Sequence, residues 1–255
     1  MNSSATLAES SARSHRYSDV EEPKAAGSTY TPENLADFVA TQIVNAANFS
    51  TRKKIKVLDP AVGDGALLEA LVSKLPEDII RKVEVFGYDT NSIAVTNARE
   101  RLEVKFPSVT FHLEERNFLQ YVLQEQNDDL LTQQSTKQLF DLVIANPPYV
   151  RTQIIGAQQA QQLAKSFGLT GRVDLYYPFI LSISKVLSPD GIAGVITSNR
   201  FMTTKSGQSV RRALLTQFEL LHVWDLGDTK LFDAAVLPSV FLARGTTKHR
   251  TPHVV

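Results

Sequence analysis

Apolar residues occur in two kinds of segment along the chain. Short continuous runs are typical of strands buried on both faces, and longer segments with an apolar residue every three or four positions are typical of helices that bury one face. The continuous runs lie at residues 55–60, 83–89, 109–113, 140–146, 191–198, 222–226 and 236–243. The periodic segments lie at about 65–75, 91–105, 117–126, 173–187 and 206–217. This alternation predicts an α/β fold, with a mostly parallel sheet of seven strands and helices on both faces.

The two ends of the chain interrupt the alternation. Residues 1–28 contain seven Ser and five Ala but few large apolar residues, which predicts a disordered N-terminal arm. Thr31 and Pro32 are typical of a helix start, with Thr as N-cap and Pro at the first helical position, and the apolar pattern predicts a helix to about Asn48. The last two apolar runs have only a loop between them, so we expect an antiparallel hairpin at the end of the sheet.

Composition narrows the classes of protein. The chain has 255 residues, of which 43% are hydrophobic, which is enough for one large domain with a substantial core. The absence of cysteine excludes disulfides, thiolate metal sites and a cysteine nucleophile. His249 and His253 are spaced like metal ligands, but Pro252 lies between them and no third ligand is near. Without a long apolar stretch or a signal-like start, we expect a cytoplasmic protein that uses neither membrane nor metal.

Charge is balanced overall but unevenly distributed. The 27 basic and 27 acidic residues alone disfavour a nucleic-acid partner, because phosphate binding depends on Lys and Arg. Residues 151–172 and 199–212, however, contain three and four basic residues and no acidic one. A surface loop can show such segregation by chance. Both segments follow the carboxyl end of a predicted strand, where open α/β sheets bind ligands, so they predict a basic surface on the ligand side.

An acidic turn with two glycines follows the first predicted strand, at residues 59–65. Gly63 and Gly65 allow positive φ angles and a close approach of the backbone to a ligand. A phosphate ligand is disfavoured, because no Lys follows the glycines and Asp59 and Asp64 would repel it. The acids suit a cationic ligand, and S-adenosylmethionine has both an ammonium and a sulfonium group.

The next two predicted strands end in residues that suit a nucleoside. Asp89 ends the second strand, at the position where nucleotide-binding sheets hold ribose hydroxyls. Asn117 and Phe118 follow the third strand, and an amide beside an aromatic ring could hydrogen-bond and flank a purine. Each residue alone is more often structural, but their register along consecutive strands favours a binding site.

The fourth predicted strand stops at the tetrapeptide Asn146-Pro147-Pro148-Tyr149. The two prolines fix φ, so the Asn146 side chain and the Pro147 carbonyl are held rigid. These two acceptors could bind both N–H groups of an exocyclic amine and draw its nitrogen toward a nucleophilic, tetrahedral form. Tyr149 could stack on the planar group that carries the amine. The alternative is an ordinary turn, since Asn, Pro and aromatic residues are common turn formers.

These motifs together resemble the amino-methyltransferases of DNA, in particular the adenine-N6 class whose cofactor motif precedes its catalytic motif, as in the methylases of type II restriction-modification enzymes. The resemblance runs from about residue 27 to 245. It is carried by Thr31-Pro32, the 59–65 turn, Asp89, the tetrapeptide, and residues 174–179, 191–199 and 231–236. It implies a Rossmann-like catalytic domain over 29–245, S-adenosylmethionine as cofactor and an adenine flipped out of DNA as substrate.

The resemblance also implies a role for each matched residue. The implied cofactor contacts are Thr31, Asp59, Pro60, Ala61, Gly63, Gly65, Asp89, Asn117 and Phe118. The implied catalytic residues are Asn146, Pro147, Pro148 and Tyr149, and the implied substrate contacts are Tyr149, Phe232, Arg151, Arg200 and Lys205. Phe232 matches the aromatic residue that lines the pocket for the flipped base.

Two departures from the family pattern leave alternatives open. Asn117 stands where many members have Asp, and its amide oxygen could still pair with the amino group of the cofactor adenine. Residues 246–255 are a tail or the start of a target-recognition region, so we expect a fragment or a chain that needs a recognition subunit. Methylation of a protein glutamine or an RNA base, and a non-catalytic cofactor-binding subunit of a larger restriction or defence complex, are the competing hypotheses.

Overall fold

The computed structural model describes residues 31–50, 52–132, 138–149, 163, 165–169, 174–227 and 237–246, with the backbone alone at 126–132. The predicted N-terminal arm, Arg151, Phe232 and all but the first residue of the predicted tail lie outside the described residues.

Seven strands and eight helices make up the described part of the chain. The strands are β1 (Ile55–Asp59), β2 (Val83–Asp89), β3 (Thr110–Glu115), β4 (Phe140–Ala145), β5 (Leu187–Ser198), β6 (Phe218–Asp225) and β7 (Pro238–Gly245). The helices are α1 (Glu33–Ala46), α2 (Ala66–Lys74), α3 (Glu77–Ile80), α4 (Ser92–Lys105), α5 (Phe118–Thr132), α6 (Tyr176–Val186), α7 (Arg200–Thr203) and α8 (Gln208–Thr216).

The strands form one sheet in the order β3-β2-β1-β4-β5-β7-β6. β7 runs antiparallel to both of its neighbours, and the other four pairs are parallel. The prediction of a mostly parallel seven-stranded sheet with an antiparallel terminal hairpin is therefore confirmed. No helix in the described ranges combines the length and the apolar character that a bilayer crossing requires.

Helices cover both faces of the sheet, as the apolar pattern predicts. One core contains aliphatic residues of α1, α2 and α4 packed against the strands, and the other contains residues of α5, α6 and α8 and most of the buried aromatic side chains. The contact between α1 and β5 is close, since a Cβ at Gly194 would lie 2.8 Å from side-chain atoms of Val39 and Ile43. This packing fixes the position of α1 over the middle of the sheet.

Element boundaries differ from prediction where local chemistry interrupts the pattern. β5 begins at Leu187, before the predicted run, and it includes Pro189 and Asp190. Asp190 has a positive φ of 61° within the strand. β6 begins at Phe218, four residues before the predicted run. The helices α3 and α7 have four residues each, too few to produce a periodic signal.

The prediction that Thr31 caps α1 is wrong. α1 begins at Glu33 with Pro32 at the N-cap position, and no side chain makes a capping hydrogen bond there. The hydroxyl of Thr31 is engaged elsewhere, by the side chain of Asn146. The physical reason is tertiary contact, because Asn146 at the end of β4 lies next to the start of α1.

Parallel pairing brings the sequence motifs to one edge of the sheet. β1 lies between β2 and β4, with Asp59 in register with Gly87 and Leu58 with Val143. The carboxyl ends of these three strands therefore meet at the same edge, where open α/β sheets bind ligands.

Candidate active site

Asp59 lies at the carboxyl end of β1 and is fully buried. One carboxylate oxygen, Oδ1, accepts a hydrogen bond from the N–H of Ala61 at 3.0 Å. The other oxygen, Oδ2, has no hydrogen-bond partner among the described residues. The pKa of Asp59 is raised to about 8, first by desolvation and to a smaller extent by the nearby carboxylates of Asp89 and Asp64, against the lowering effect of the Ala61 hydrogen bond. A donor with positive charge would satisfy the free oxygen.

The two glycines of the following turn differ in what surrounds them. Both have positive φ, 50° at Gly63 and 84° at Gly65. A Cβ at Gly65 would lie 3.2 Å from side-chain atoms of Ala98 and Leu102, so this glycine allows the turn to pack on α4. A Cβ at Gly63 would meet nothing within 4 Å, so open space adjoins the turn there. Gly63 is thus the position where a ligand can approach the backbone.

Asp89 holds this turn in place. Its Oδ2 accepts from the N–H of Gly63 and its Oδ1 from the N–H of Asn91, both at 2.9 Å. The carboxylate thereby joins the turn after β1 to the start of α4. Each oxygen retains lone-pair capacity for a further donor such as a hydroxyl group.

The second acid of the turn, Asp64, has a cationic partner within the chain. Its Oδ2 lies 3.2 Å from the guanidinium of Arg101, and its Oδ1 accepts from the N–H of Ala66. The side chain is 47% exposed. The expectation that both acids of the turn serve a cationic ligand is therefore revised, because Asp64 already has a cationic partner, whereas Asp59 has none among the described residues.

Asn117 and Phe118 also take structural roles. The amide oxygen of Asn117 accepts from the N–H groups of Leu119 and Gln120 at 3.0 and 3.2 Å, so it caps α5. Its amide nitrogen has no acceptor among the described residues, which makes it a donor for a ligand. Phe118 is 1% exposed and stacks on Tyr88 and Phe179, so its ring belongs to the core.

The tetrapeptide follows a strand that is buried at every position. Pro147 is buried, and Asn146, Pro148 and Tyr149 are partly buried. The amide nitrogen of Asn146 donates to Oγ1 of Thr31 at 2.9 Å, and its amide oxygen accepts from the hydroxyl of Tyr149 at 2.5 Å. The structure therefore brings Thr31, which precedes Asn146 by 115 positions, to the predicted catalytic motif.

Tyr149 has an aromatic neighbour that residue-by-residue sequence reasoning did not single out. Its ring packs edge-on against Tyr176 of α6, with centroids 6.3 Å apart. Tyr176 in turn meets Tyr177 at a right angle, at 4.6 Å. Burial raises the pKa of Tyr149, so its hydroxyl stays protonated and remains a donor. Residues 174–179 resemble the family as one segment, and no separate signal in the sequence singles out Tyr176.

The basic segment after β5 divides into exposed and internal side chains. Arg200, Lys205 and Arg212 are exposed. Arg211 is partly buried, and its guanidinium donates to the carbonyls of Phe201 and Thr204, so it stabilises the turn between α7 and α8. One acid, Asp225, ends β6 at the same edge and accepts from the side chain of Asn199.

A groove of about 310 Å³ between α1, α2 and α4 shares only Thr31 with the predicted site residues. Its walls are bridged by ion pairs such as Lys74 with Asp37 and Lys105 with Glu69, so its charges are compensated. Within the described ranges, no three His, Asp or Glu residues are grouped so that they could hold a metal ion.

Comparison with known proteins identifies the family. Residues 83–232, more than half of the chain, match the sequence model described as Eco57I restriction-modification methylase. The chain belongs to the Eco57I restriction-modification methylase family. The matched range begins at β2 and includes the tetrapeptide and the basic segment after β5.

Two type II methyltransferases resemble this Eco57I-family chain over most of its length. M.BanIII from Aneurinibacillus aneurinilyticus is 41% identical over 229 residues, and M.BstVI from Geobacillus stearothermophilus is 29% identical over 252 residues. The matches cover 88% and 90% of this chain but 39% and 43% of the relatives. The chain thus spans about two fifths of the length of these relatives.

Two further similarities are of other kinds, one over less than half of the chain and one in structure at low sequence identity. A release factor glutamine methyltransferase from Flavobacterium psychrophilum is 31% identical over 119 residues, which is 47% of this Eco57I-family chain. A solved structure from Listeria monocytogenes, assigned to the class I S-adenosylmethionine-dependent methyltransferases, superposes with a TM-score of 0.64 at 18% identity, over 88% of this chain and 62% of that one. The superposition supports the Rossmann-like fold.

Proposed function

We propose that this Eco57I-family chain transfers a methyl group from S-adenosylmethionine to the N6 amine of an adenine flipped out of DNA. The observation that carries the proposal is the position of Asn146. Its amide lies at the carboxyl end of β4, beside the strand whose own end places Asp59, a buried acid with a free oxygen. Residues 29–245 are the proposed catalytic domain.

The residues present fit the proposed cofactor. Oδ2 of Asp59 is a buried acceptor without a donor, which suits the ammonium of the methionine moiety. Gly63 leaves open space beside the turn, and the carboxylate of Asp89 can accept from ribose hydroxyls. The amide nitrogen of Asn117, whose oxygen caps α5, can donate to a ring nitrogen of the cofactor adenine. When bound, the cofactor supplies an electrophilic methyl group on its sulfonium.

The chain itself supplies acceptors for the target amine. Oδ1 of Asn146 and the carbonyl of Pro147 accept the two N–H groups, and the prolines keep both acceptors from turning away. Hydrogen bonding to both groups favours a lone pair that is localised on nitrogen rather than delocalised into the ring. Asn146 and Pro147 would hold the nitrogen lone pair toward the methyl group that the cofactor would supply, with the thioether as leaving group, and the amine proton would pass to solvent.

DNA is the proposed substrate because of the surface around the tetrapeptide. Arg200, Lys205 and Arg212 are exposed after the carboxyl end of β5 and can contact phosphates. Base extrusion costs a few kcal/mol, which stacking on Tyr149 and Phe232 and backbone contacts with Arg151 would offset. Sequence specificity comes in this proposal from a target-recognition domain or subunit outside this chain.

Glutamine methylation is the second candidate, and one observation favours it. The release factor glutamine methyltransferase is 31% identical to this chain over 119 residues, which is under half of this sequence. The exposed basic residues after β5 favour nucleic acid over a protein amide.

A labelled-methyl assay tests these candidates directly. The chain is incubated with labelled S-adenosylmethionine and plasmid DNA, RNA or protein extract, with and without the products of neighbouring genes. We expect the label in DNA, and after digestion we expect it in N6-methyl-2′-deoxyadenosine. Asn146→Ala should abolish transfer while cofactor still binds, whereas the exposed control Asn97→Ala should leave it unchanged. Label in glutamine or RNA, or normal turnover by Asn146→Ala, would contradict the proposal.

A further inference from the structure

Thr31 makes a contact that its expected role as a cofactor ligand does not explain. Its side chain is next to the start of α1, and the residue is 7% exposed. Oγ1 accepts a hydrogen bond from the amide nitrogen of Asn146 at 2.9 Å. The contact thus joins the segment before α1 to the proposed catalytic amide.

The orientation of this amide decides whether Asn146 can act as proposed. An asparagine side chain has an acceptor on one side and two donors on the other, and a half-turn of the amide exchanges them. Only Oδ1 of Asn146 can accept a hydrogen bond from the target amine. The NH₂ group of Asn146 is itself a donor, so it cannot bind the N–H groups of the amine. In the structure, Nδ2 is on the side of Thr31 and Oδ1 on the side of Tyr149.

Thr31 is well placed to keep the amide in that orientation. The N–H groups of Leu35 and Ala36 both donate to the carbonyl of Pro32 at 3.0 Å, which ties the residue after Thr31 to the first turn of α1. The helix itself is anchored by Val39 and Ile43, which are fully buried against β5. A hydroxyl on so rigid a support presents its oxygen to Asn146 at a fixed position.

We infer that Thr31 is a positioning residue, which accepts from Nδ2 of Asn146 and so holds Oδ1 toward the target amine. The hydroxyl proton of Thr31 has no acceptor among the described residues, so Thr31 can serve Asn146 and donate to a ligand at the same time. Hydrogen bonds in such a chain polarise one another and make the amide oxygen a stronger acceptor. The inference rests on the proposed function of Asn146.

The kinetic test compares Thr31→Val, which keeps the shape but removes the hydroxyl, with Thr31→Ser, which keeps the hydroxyl. At saturating S-adenosylmethionine and DNA, Thr31→Val should lower kcat roughly tenfold, the effect of losing one hydrogen bond of ordinary strength. Thr31→Ser should recover most of that loss. An unchanged kcat in Thr31→Val, whatever happens to calorimetric cofactor affinity, would make Thr31 a cofactor contact only and overturn the inference. A loss that Thr31→Ser does not recover would overturn it too.

A second test detects the contact between Thr31 and Asn146 in the ligand-free protein by NMR spectroscopy. The side-chain NH₂ resonances of Asn146 are assigned as those absent from Asn146→Ala. We expect nuclear Overhauser contacts from these protons to the methyl group of Thr31, and a shift of the pair in Thr31→Val but not in Thr31→Ser. Contacts to the ring of Tyr149 instead would mean a reversed amide and would overturn the inference.

The two tests keep the two proposals separable. If the parent chain methylates no DNA under any condition, the proposed function fails, while the NMR result still decides whether Thr31 orients the amide. If the Thr31→Val variant has a much lower melting temperature, because its added methyl group faces the amide of Asn146, Thr31→Ala replaces it in both experiments. Thr31→Ala removes the hydroxyl without placing a methyl group in that position.

Discussion

The hydroxyl of Tyr149 donates to the amide oxygen of Asn146 at 2.5 Å, so the proposed acceptor for the target amine is engaged before any substrate is present. Burial raises the pKa of Tyr149, so the hydroxyl stays protonated and remains a donor at neutral pH. An entering amine must displace this hydroxyl or share the oxygen with it. The ring and the hydroxyl of Tyr149 thus have separate effects on catalysis.

Substitutions at Tyr149 should separate these effects. Tyr149→Phe keeps the ring and removes the competing donor, so we expect kcat within about threefold of the parent, since a single exchangeable hydrogen bond is worth little net free energy. Tyr149→Ala removes the stacking surface and should lower kcat/KM on the order of ten- to a hundredfold. Steady-state methyl transfer to DNA measures both. Equal losses in the two variants would show that the hydroxyl, and not the ring, is what catalysis requires.

Asp59 should make the stability of the ligand-free protein depend on pH. Burial raises its pKa from 3.8 to about 8 in the folded chain, so between these values the folded state holds a proton that the unfolded state has lost. The free energy of unfolding should therefore fall as pH rises from about 4 to about 8. Asp59→Asn removes this dependence, and its melting temperature at pH 8 should exceed that of the parent by about 3 °C or more.

The same variant should bind the cofactor less well. Above pH 8, where the carboxyl of Asp59 is ionised, loss of a charge-assisted hydrogen bond predicts a rise in the calorimetric Kd for S-adenosylmethionine of roughly tenfold or more. Asp64→Asn is the matched control, because Asp64 is exposed and paired with Arg101, and we expect little change in either measurement. A pH profile of melting that is the same in Asp59→Asn and the parent would assign the titration to another group.

The two glycines of the turn should respond differently to alanine. Both substitutions strain a positive φ and cost about 1 kcal/mol for that reason alone. At Gly65 the new methyl also presses on Ala98 and Leu102, so Gly65→Ala should show the larger drop in melting temperature. At Gly63 it enters open space on the proposed ligand side, so Gly63→Ala should show the larger rise in Kd for S-adenosylmethionine. If Gly65→Ala raised the Kd more than Gly63→Ala did, the ligand would not lie beside Gly63.

The exposed basic residues after β5 should control DNA affinity through phosphates. Arg200→Ala and Lys205→Ala should each weaken duplex binding and reduce the slope of log K against log salt by about 1. Fluorescence anisotropy over a range of salt concentrations measures the slope. Arg81→Ala is the control, because Arg81 is exposed before β2, at the opposite edge of the sheet. Arg211→Ala should instead lower stability, because its guanidinium holds two carbonyls of the protein.

The sequence predicts features that depend on neighbouring residues better than those that depend on distant ones. Apolar runs located the strands, and the parallel sheet they imply brought Asp59, Asp89 and Asn146 to one edge. The contact between Thr31 and Asn146 joins residues 115 positions apart, so no local pattern could reveal it. The same holds for Asp64 in the turn after β1, whose partner Arg101 lies on α4, 37 positions away.

Some of what was missed had a local signal. Asn117 directly precedes a helix, and an asparagine in that position commonly caps it, which predicts the bonds to Leu119 and Gln120. Arg211 had no such signal, because a run of basic residues does not reveal which guanidinium is turned inward. The roles of Arg151 and Phe232 stay predictions, since both lie outside the described residues.

The order of strands has a consequence for how the protein is made on the ribosome. β7 is the last strand in the described chain, yet it lies between β5 and β6, and within the described sheet β6 pairs with β7 alone. Until Pro238–Gly245 has left the exit tunnel, one edge of β5 has no partner and β6 cannot join the sheet. An unpaired edge invites association with other chains. The edges of β5 and β6 that β7 covers in the described sheet are therefore open to other chains until Pro238–Gly245 has been synthesised.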